Sequence, residues 1–73
     1  MSAIRVRVLD QTPRVFLVDR IDETGAVGPE PLTLTDDELG DCVRALDQAD
    51  LAPPGSEVVV QYAVVHVSQA RST

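Results

Sequence analysis

The segment Glu57-Val-Val-Val-Gln-Tyr-Ala-Val-Val-His-Val-Ser-Gln69 constrains the fold more than any other part of the chain. It is dominated by β-branched residues, which favour a pleated, half-buried strand. Its apolar side chains fall on both parities. Val58, Val60, Tyr62 and Val64 share one parity with His66, and Val59, Val65 and Val67 share the other. A sheet covered by one helix needs only one apolar face. Read as a single long strand, the segment predicts that its second face meets another chain or another layer.

Size argues in the same direction. With 73 residues the chain predicts one small domain, 1–73, with a polar tail at 70–73. Its 44% hydrophobic and 25% charged residues are those of a globular chain. Burying apolar surface contributes on the order of 100 kcal/mol to a domain of this size. Ordering the chain costs about the same. Small domains commonly add a disulfide, a metal or a partner. Cys42 is the single cysteine and His66 the single histidine. The sequence thus offers neither an internal disulfide nor the paired-ligand spacing of a zinc site. A partner subunit remains. Phe16 and Tyr62 are the two aromatic residues, so the core must be mostly Val, Leu, Ile and Ala.

No apolar run approaches the ~20 residues that cross a bilayer. Met1-Ser-Ala-Ile-Arg-Val-Arg7 enters a strand pattern without the apolar stretch of a signal peptide. With a lone cysteine, this predicts a cytoplasmic protein with no membrane partner. All six basic residues are arginine. Together with the Ala, Val, Asp, Pro and Gly content, that bias points to high-GC coding in a bacterium or its phage.

Ile4, Val6 and Val8 alternate with Arg5 and Arg7, the period of two that marks a strand over 3–9. Asp10-Gln-Thr-Pro13 is a turn signal. Arg14 to Ile21 reads as a second strand that closes an antiparallel hairpin. Val15, Leu17 and Ile21 share one face, and Arg14, Phe16, Val18 and Arg20 the other. Asp22-Glu-Thr-Gly25 is a second turn, and Ala26-Val-Gly-Pro-Glu-Pro31 a loop leading to a short edge strand at 32–34. Thr35-Asp-Asp-Glu38 has the form of a capping box. Asp36 and Asp37 stand where the helix dipole favours negative charge.

A helix follows to about Ala49, with Leu39, Cys42, Val43, Leu46 and Ala49 as its apolar stripe. Asp37, Asp41, Arg44, Asp47 and Gln48 lie away from that stripe. Gly40 costs about 1 kcal/mol relative to Ala inside a helix and predicts close approach of another backbone. The expected class is α+β, in the order β-β-α-β. A small antiparallel or mixed sheet of three or four strands packs on one helix.

This order of hairpin, crossing helix and returning strand resembles the first part of a β-grasp, the ubiquitin-like topology. Sulfur-carrier and ubiquitin-type members of that fold end in Gly-Gly, the site of activation. This chain ends Arg71-Ser72-Thr73, so the resemblance implies the fold and not a carrier role.

Catalytic signatures are missing from the pattern. His66 has no acid or nucleophile at motif spacing and reads as a half-buried or interfacial strand residue. Cys42 lies in the apolar stripe among Asp36, Asp37, Glu38 and Asp41, whose charges raise a thiol pKa rather than lower it. Those carboxylates, with Asp22 and Glu23, do not follow the Asp-x-Asp-x-Asp-Gly spacing of a calcium loop. No Gly-rich phosphate loop is present. No enzymatic activity, cofactor or metal is expected.

Charge is uneven. Residues 1–20 net +2, residues 21–50 net −8, and the whole chain nets −6. Nucleic-acid binding needs cationic groups to displace counterions and is disfavoured. Arg5, Arg7, Arg14 and Arg20 on paired strands could still make a small basic patch.

Three functions fit. The first is a non-enzymatic protein–protein interaction module, a homodimer using either Val58, Val60, Tyr62, Val64 and His66 or Val59, Val65 and Val67 as its interface. The second is an acidic inhibitor or anti-defence protein of the kind phages encode, binding a cationic site through the helix face of Asp36, Asp37 and Asp41. The third is a component of a larger assembly, joined edge to edge through the 57–69 strand.

Overall fold

The computed structural model describes residues 2–28 and 32–69. The polar tail at 70–73 and the Pro29-Glu-Pro31 stretch lie outside the described residues. Four strands and one helix form an α+β fold: β1 (Ala3–Gln11), β2 (Arg14–Ile21), α1 (Asp36–Leu51), β3 (Ser56–Gln61) and β4 (Val64–Gln69). The strands make a single sheet in the order β2-β1-β3-β4, and every neighbouring pair is antiparallel.

The expected hairpin forms at β1 and β2. Its ladder slips between Val8 and Asp10, where Leu9 is an extra residue on β1, a β-bulge. The expected edge strand at 32–34 is not formed. Val27 instead makes an isolated bridge to Ile21.

The 57–69 segment departs most from expectation. It is two strands, not one, and a two-residue turn at Tyr62–Ala63 divides them. Each half then alternates normally. Across the sheet, Val18, Val6, Val58 and Val67 form one row, and Arg20, Ile4, Val60 and Val65 the next, all on the helix side. Val59 and His66 share the opposite, open face with Arg5 and Asp19. The apparent two-faced strand therefore arises because the turn resets the parity. It also supplies a fourth strand, so the order is β-β-α-β-β, and β3 returns antiparallel to β1 rather than parallel as in a β-grasp.

Ile4, Val6, Val8, Val58, Val60, Ala45, Ala49 and Ala52 make the buried core, with Phe16, Val18, Leu34, Cys42 and Leu46 packed around it. Val58 and Val60 are fully buried, so they are core residues and not interface candidates.

The helix begins with the capping box as read. Thr35 Oγ accepts the Glu38 N–H at 3.2 Å, and Glu38 Oε1 accepts the Thr35 N–H at 2.9 Å. Its buried face, however, is Asp41, Ala45 and Ala49. Small alanines let the helix backbone approach the valine sheet closely. That rolls Leu39 and Val43 outward, where they are 49% and 55% exposed. Gly40 meets no foreign backbone, because its missing Cβ leaves room for the Arg44 guanidinium.

Arg14 and Arg20, on the same face of β2, hold the two ends of this helix. Arg20 Nε lies 2.7 Å from Glu38 Oε2 at the N-terminal turn. Arg14 Nη2 donates to the carbonyls of Ala49, at 2.6 Å, and Ala52 at the C-terminal end. No basic residue of the helix itself lies in its last turn, so β2 supplies the cation that the dipole favours there.

Ser56, the first residue of β3, is buried, and its hydroxyl has no hydrogen-bond partner among the described residues. Removing an unsatisfied buried polar group relieves its desolvation cost. Ser56→Ala is therefore expected to raise stability by about 1 kcal/mol, measurable as a higher Tm.

Candidate interaction surface

The Tyr62–Ala63 turn sets the geometry of the far sheet edge. Both residues have positive φ, 53° and 64°, as a type I′ hairpin turn requires. Such turns ordinarily use Asn or Gly, because a Cβ is strained in that region. Here the compensation comes from the helix. Asp41 Oδ2 accepts the Tyr62 N–H at 3.0 Å, and Oδ1 accepts the Ala63 N–H at 2.9 Å. Asp41 is only 8% exposed. It is a fastening between helix and hairpin, and it does not belong to an exposed acidic face. Asp36 and Asp37 remain exposed on the first turn.

Beyond the turn, β4 is the edge of the sheet, and all six of its residues are exposed. Val64 is 54%, Val65 36% and Val67 51% exposed. Val65 and Val67 face the helix side, but the helix lies mainly over β1 and β3 and leaves them partly uncovered. No charged residue occurs in β4.

The register shows which backbone groups are free. Residues flanking a two-residue loop exchange both backbone bonds, and bonded and non-bonded pairs alternate from there. Gln61–Val64, Val59–His66 and Glu57–Ser68 are thus the bonded pairs. Val65, Val67 and Gln69 point their N–H and C=O away from β3. The opposite edge obeys the same alternation: the outward carbonyl of Arg20 accepts the Gly28 N–H at 2.7 Å. Among the described residues, no strand pairs with the outer edge of β4.

The candidate arginine patch is engaged by the chain's own groups. On the open face, Asp19 Oδ2 receives Arg5 Nη2 at 2.8 Å and Arg7 Nη2 at 3.1 Å. Those guanidinium groups hold the Asp19 carboxyl below its ordinary value. Arg14 and Arg20 are engaged on the opposite side, so the four arginines form no single basic patch. His66 stands exposed on the open face of β4. Asp22 Oδ1 accepts bonds from Thr24 N–H, Thr24 Oγ and Ala26 N–H within its own turn. Cys42 is half-buried beside the core, and burial pushes its thiol up, opposite to what a nucleophile needs.

A cavity of about 690 Å³ opens between the start of the helix and the β3–β4 turn. Ser2, Arg20, Glu38, Asp41, Arg44 and Tyr62 are among its lining residues. Its polar groups largely answer one another. Ser2 Oγ donates to Glu38 Oε2 at 2.7 Å, and Arg20 Nη2 donates to Glu38 Oε1 at 3.2 Å. The Thr35 amide, Arg20 and Ser2 together hold the Glu38 carboxyl at about 2, down from 4.5.

A depressed folded-state pKa stabilises the fold above the unfolded value, and that gain is lost as pH falls toward the folded value. The Tm gap between the wild type and Glu38→Gln is therefore expected to be full above pH 4.5 and to close as pH approaches about 2. Thermal melts across that range measure it.

Sequence reasoning put Asp41 on an exposed acidic face and missed its role as a fastening, because its partners lie 21 and 22 residues away. The one local hint was an aspartate beside the helix start, which reads equally well as a solvated charge. No family model, curated protein or solved structure matches the chain.

Proposed function

We propose that this chain is a non-enzymatic protein–protein interaction module whose working surface is the free edge of β4. It acts by strand addition: an extended segment of a partner pairs with the outward N–H and C=O groups of Val65, Val67 and Gln69. The observation that carries this reading is an exposed edge strand with three partly uncovered valines and no charge. Native proteins usually protect such edges with charged side chains, proline or a covering element. β4 has none of these among the described residues. Helix-side Val65 and Val67 would provide side-chain contacts beside the backbone ladder.

Proline at 67 removes an outward N–H while leaving the β3–β4 ladder intact. A wild-type chain concentrated in steps is expected to shift its backbone NMR signals at 64–69, and Val67→Pro to abolish those shifts. Val67→Lys, a charged edge residue, is expected to do the same and guards against a local effect of proline. Shifts centred on Arg5, Leu17 and Val59, on the open face of the sheet, would overturn the reading.

A further inference from the structure

The partner at the β4 edge can be specified further, on the basis of the reading above. We infer that it is a second copy of this chain, joined β4 to β4 about a two-fold axis at Val67.

The argument starts from parity. In a continuous antiparallel sheet, residues opposite one another point to the same face. Paired positions in two copies of one strand must then have an even sum. The alternation on β4 makes the second condition stricter. Only Val65, Val67 and Gln69 present outward backbone groups. Pairing His66 with itself places Val65 opposite Val67 twice and sends Gln69 to Ala63, whose N–H is already held by Asp41. Pairing Val65 with itself sends Val67 to that same residue. Pairing Val67 with itself sets Val65 opposite Gln69 in both directions. All three outward N–H and all three outward C=O groups of each copy are then bonded. Unpaired backbone groups in a covered seam are costly, so the register that satisfies all of them is favoured.

Side chains and charge agree with that register. On the helix side the two Val67 side chains meet at the axis, with Val65 diagonal to them. On the open face His66 lies opposite Ser68. Each copy carries −6 overall, yet no charged residue of β4 enters the seam, so no like charges are brought face to face. The two four-stranded sheets become one of eight strands, with both helices on the same side. Strand addition over so short a segment buries less than the ~800 Å² per partner of a standard interface. The dimer is accordingly expected to dissociate on the order of 10 μM.

Cross-linking reads the register directly. In a Cys42→Ala background, Val67→Cys, His66→Cys and Val65→Cys each place one thiol at the axis of a different register. A hydrogen-bonded antiparallel pair has Cα atoms about 5.5 Å apart, within disulfide reach. Under mild oxidation Val67→Cys is expected to form covalent dimer at least about tenfold faster than the other two. The mass of the wild type is followed by sedimentation velocity in parallel. A dimeric wild type in which His66→Cys or Val65→Cys couples fastest would overturn the register and leave the edge reading standing. A wild type that remains monomeric throughout the micromolar range would remove the second copy as partner.

Discussion

Asp41→Ala is expected to destabilise the domain by about 3 kcal/mol, a large share of the stability of so small a chain. The side chain accepts two backbone N–H groups from across the fold, at 3.0 and 2.9 Å. Hydrogen bonds to a charged acceptor are worth roughly 1.5–3 kcal/mol each. The loss also takes these two bonds from Tyr62 and Ala63, both of which sit in the left-handed region. Each such non-glycine residue costs about 1 kcal/mol or more.

A rescue distinguishes this role from generic helix damage. Ala63→Gly relieves strain at positive φ, so it should recover more stability in the Asp41→Ala background than in the wild type. A coupling of about 1 kcal/mol between the two sites, measured by urea denaturation, is expected. Purely additive effects would show that Asp41 does not hold the turn.

Arg14→Ala is expected to cost about 2 kcal/mol. The guanidinium bonds two carbonyls at the C-terminal end of α1, lies 3.6 Å from Asp50 Oδ1, and stands 5.6 Å over the Phe16 ring. The helix ends at Ala52 in an extended conformation, without glycine and without a basic residue in its last turn. Arg14→Lys keeps the charge near the dipole but loses the planar fork, so it should recover only part of the loss. Full recovery by lysine would reduce Arg14 to a point charge. Chemical denaturation of the three proteins under one buffer condition measures this.

How much was legible beforehand followed from how local each cause is. The β1–β2 hairpin, the Thr35 capping box and the burial of Ile4, Val6 and Val8 all arise from residues close together in sequence. The helix face was harder to read, because Leu39 and Val43 outweigh Ala45 and Ala49 on any hydropathy count. In the fold, close approach favours the alanines, and the leucine and valine turn outward. The division of 57–69 was the least visible. Tyr-Ala carries no turn signal, and the carboxylate that stabilises it is contributed by a different element. The single strand expected over 57–69 is instead β3 and β4, with β4 at the edge of the sheet. Of the proposed interface residues, Val58 and Val60 proved to be core, whereas Val64, Val65, Val67 and His66 stand exposed on β4.

β4 has one more consequence. None of its side chains belongs to the buried core, and its backbone is joined only to β3. The buried core is drawn from β1, β3, the helix and the Ala52 that follows it. On the proposed reading the strand is an adapter more than a wall: rewriting its outward residues should change its partner while the core residues beneath stay the same.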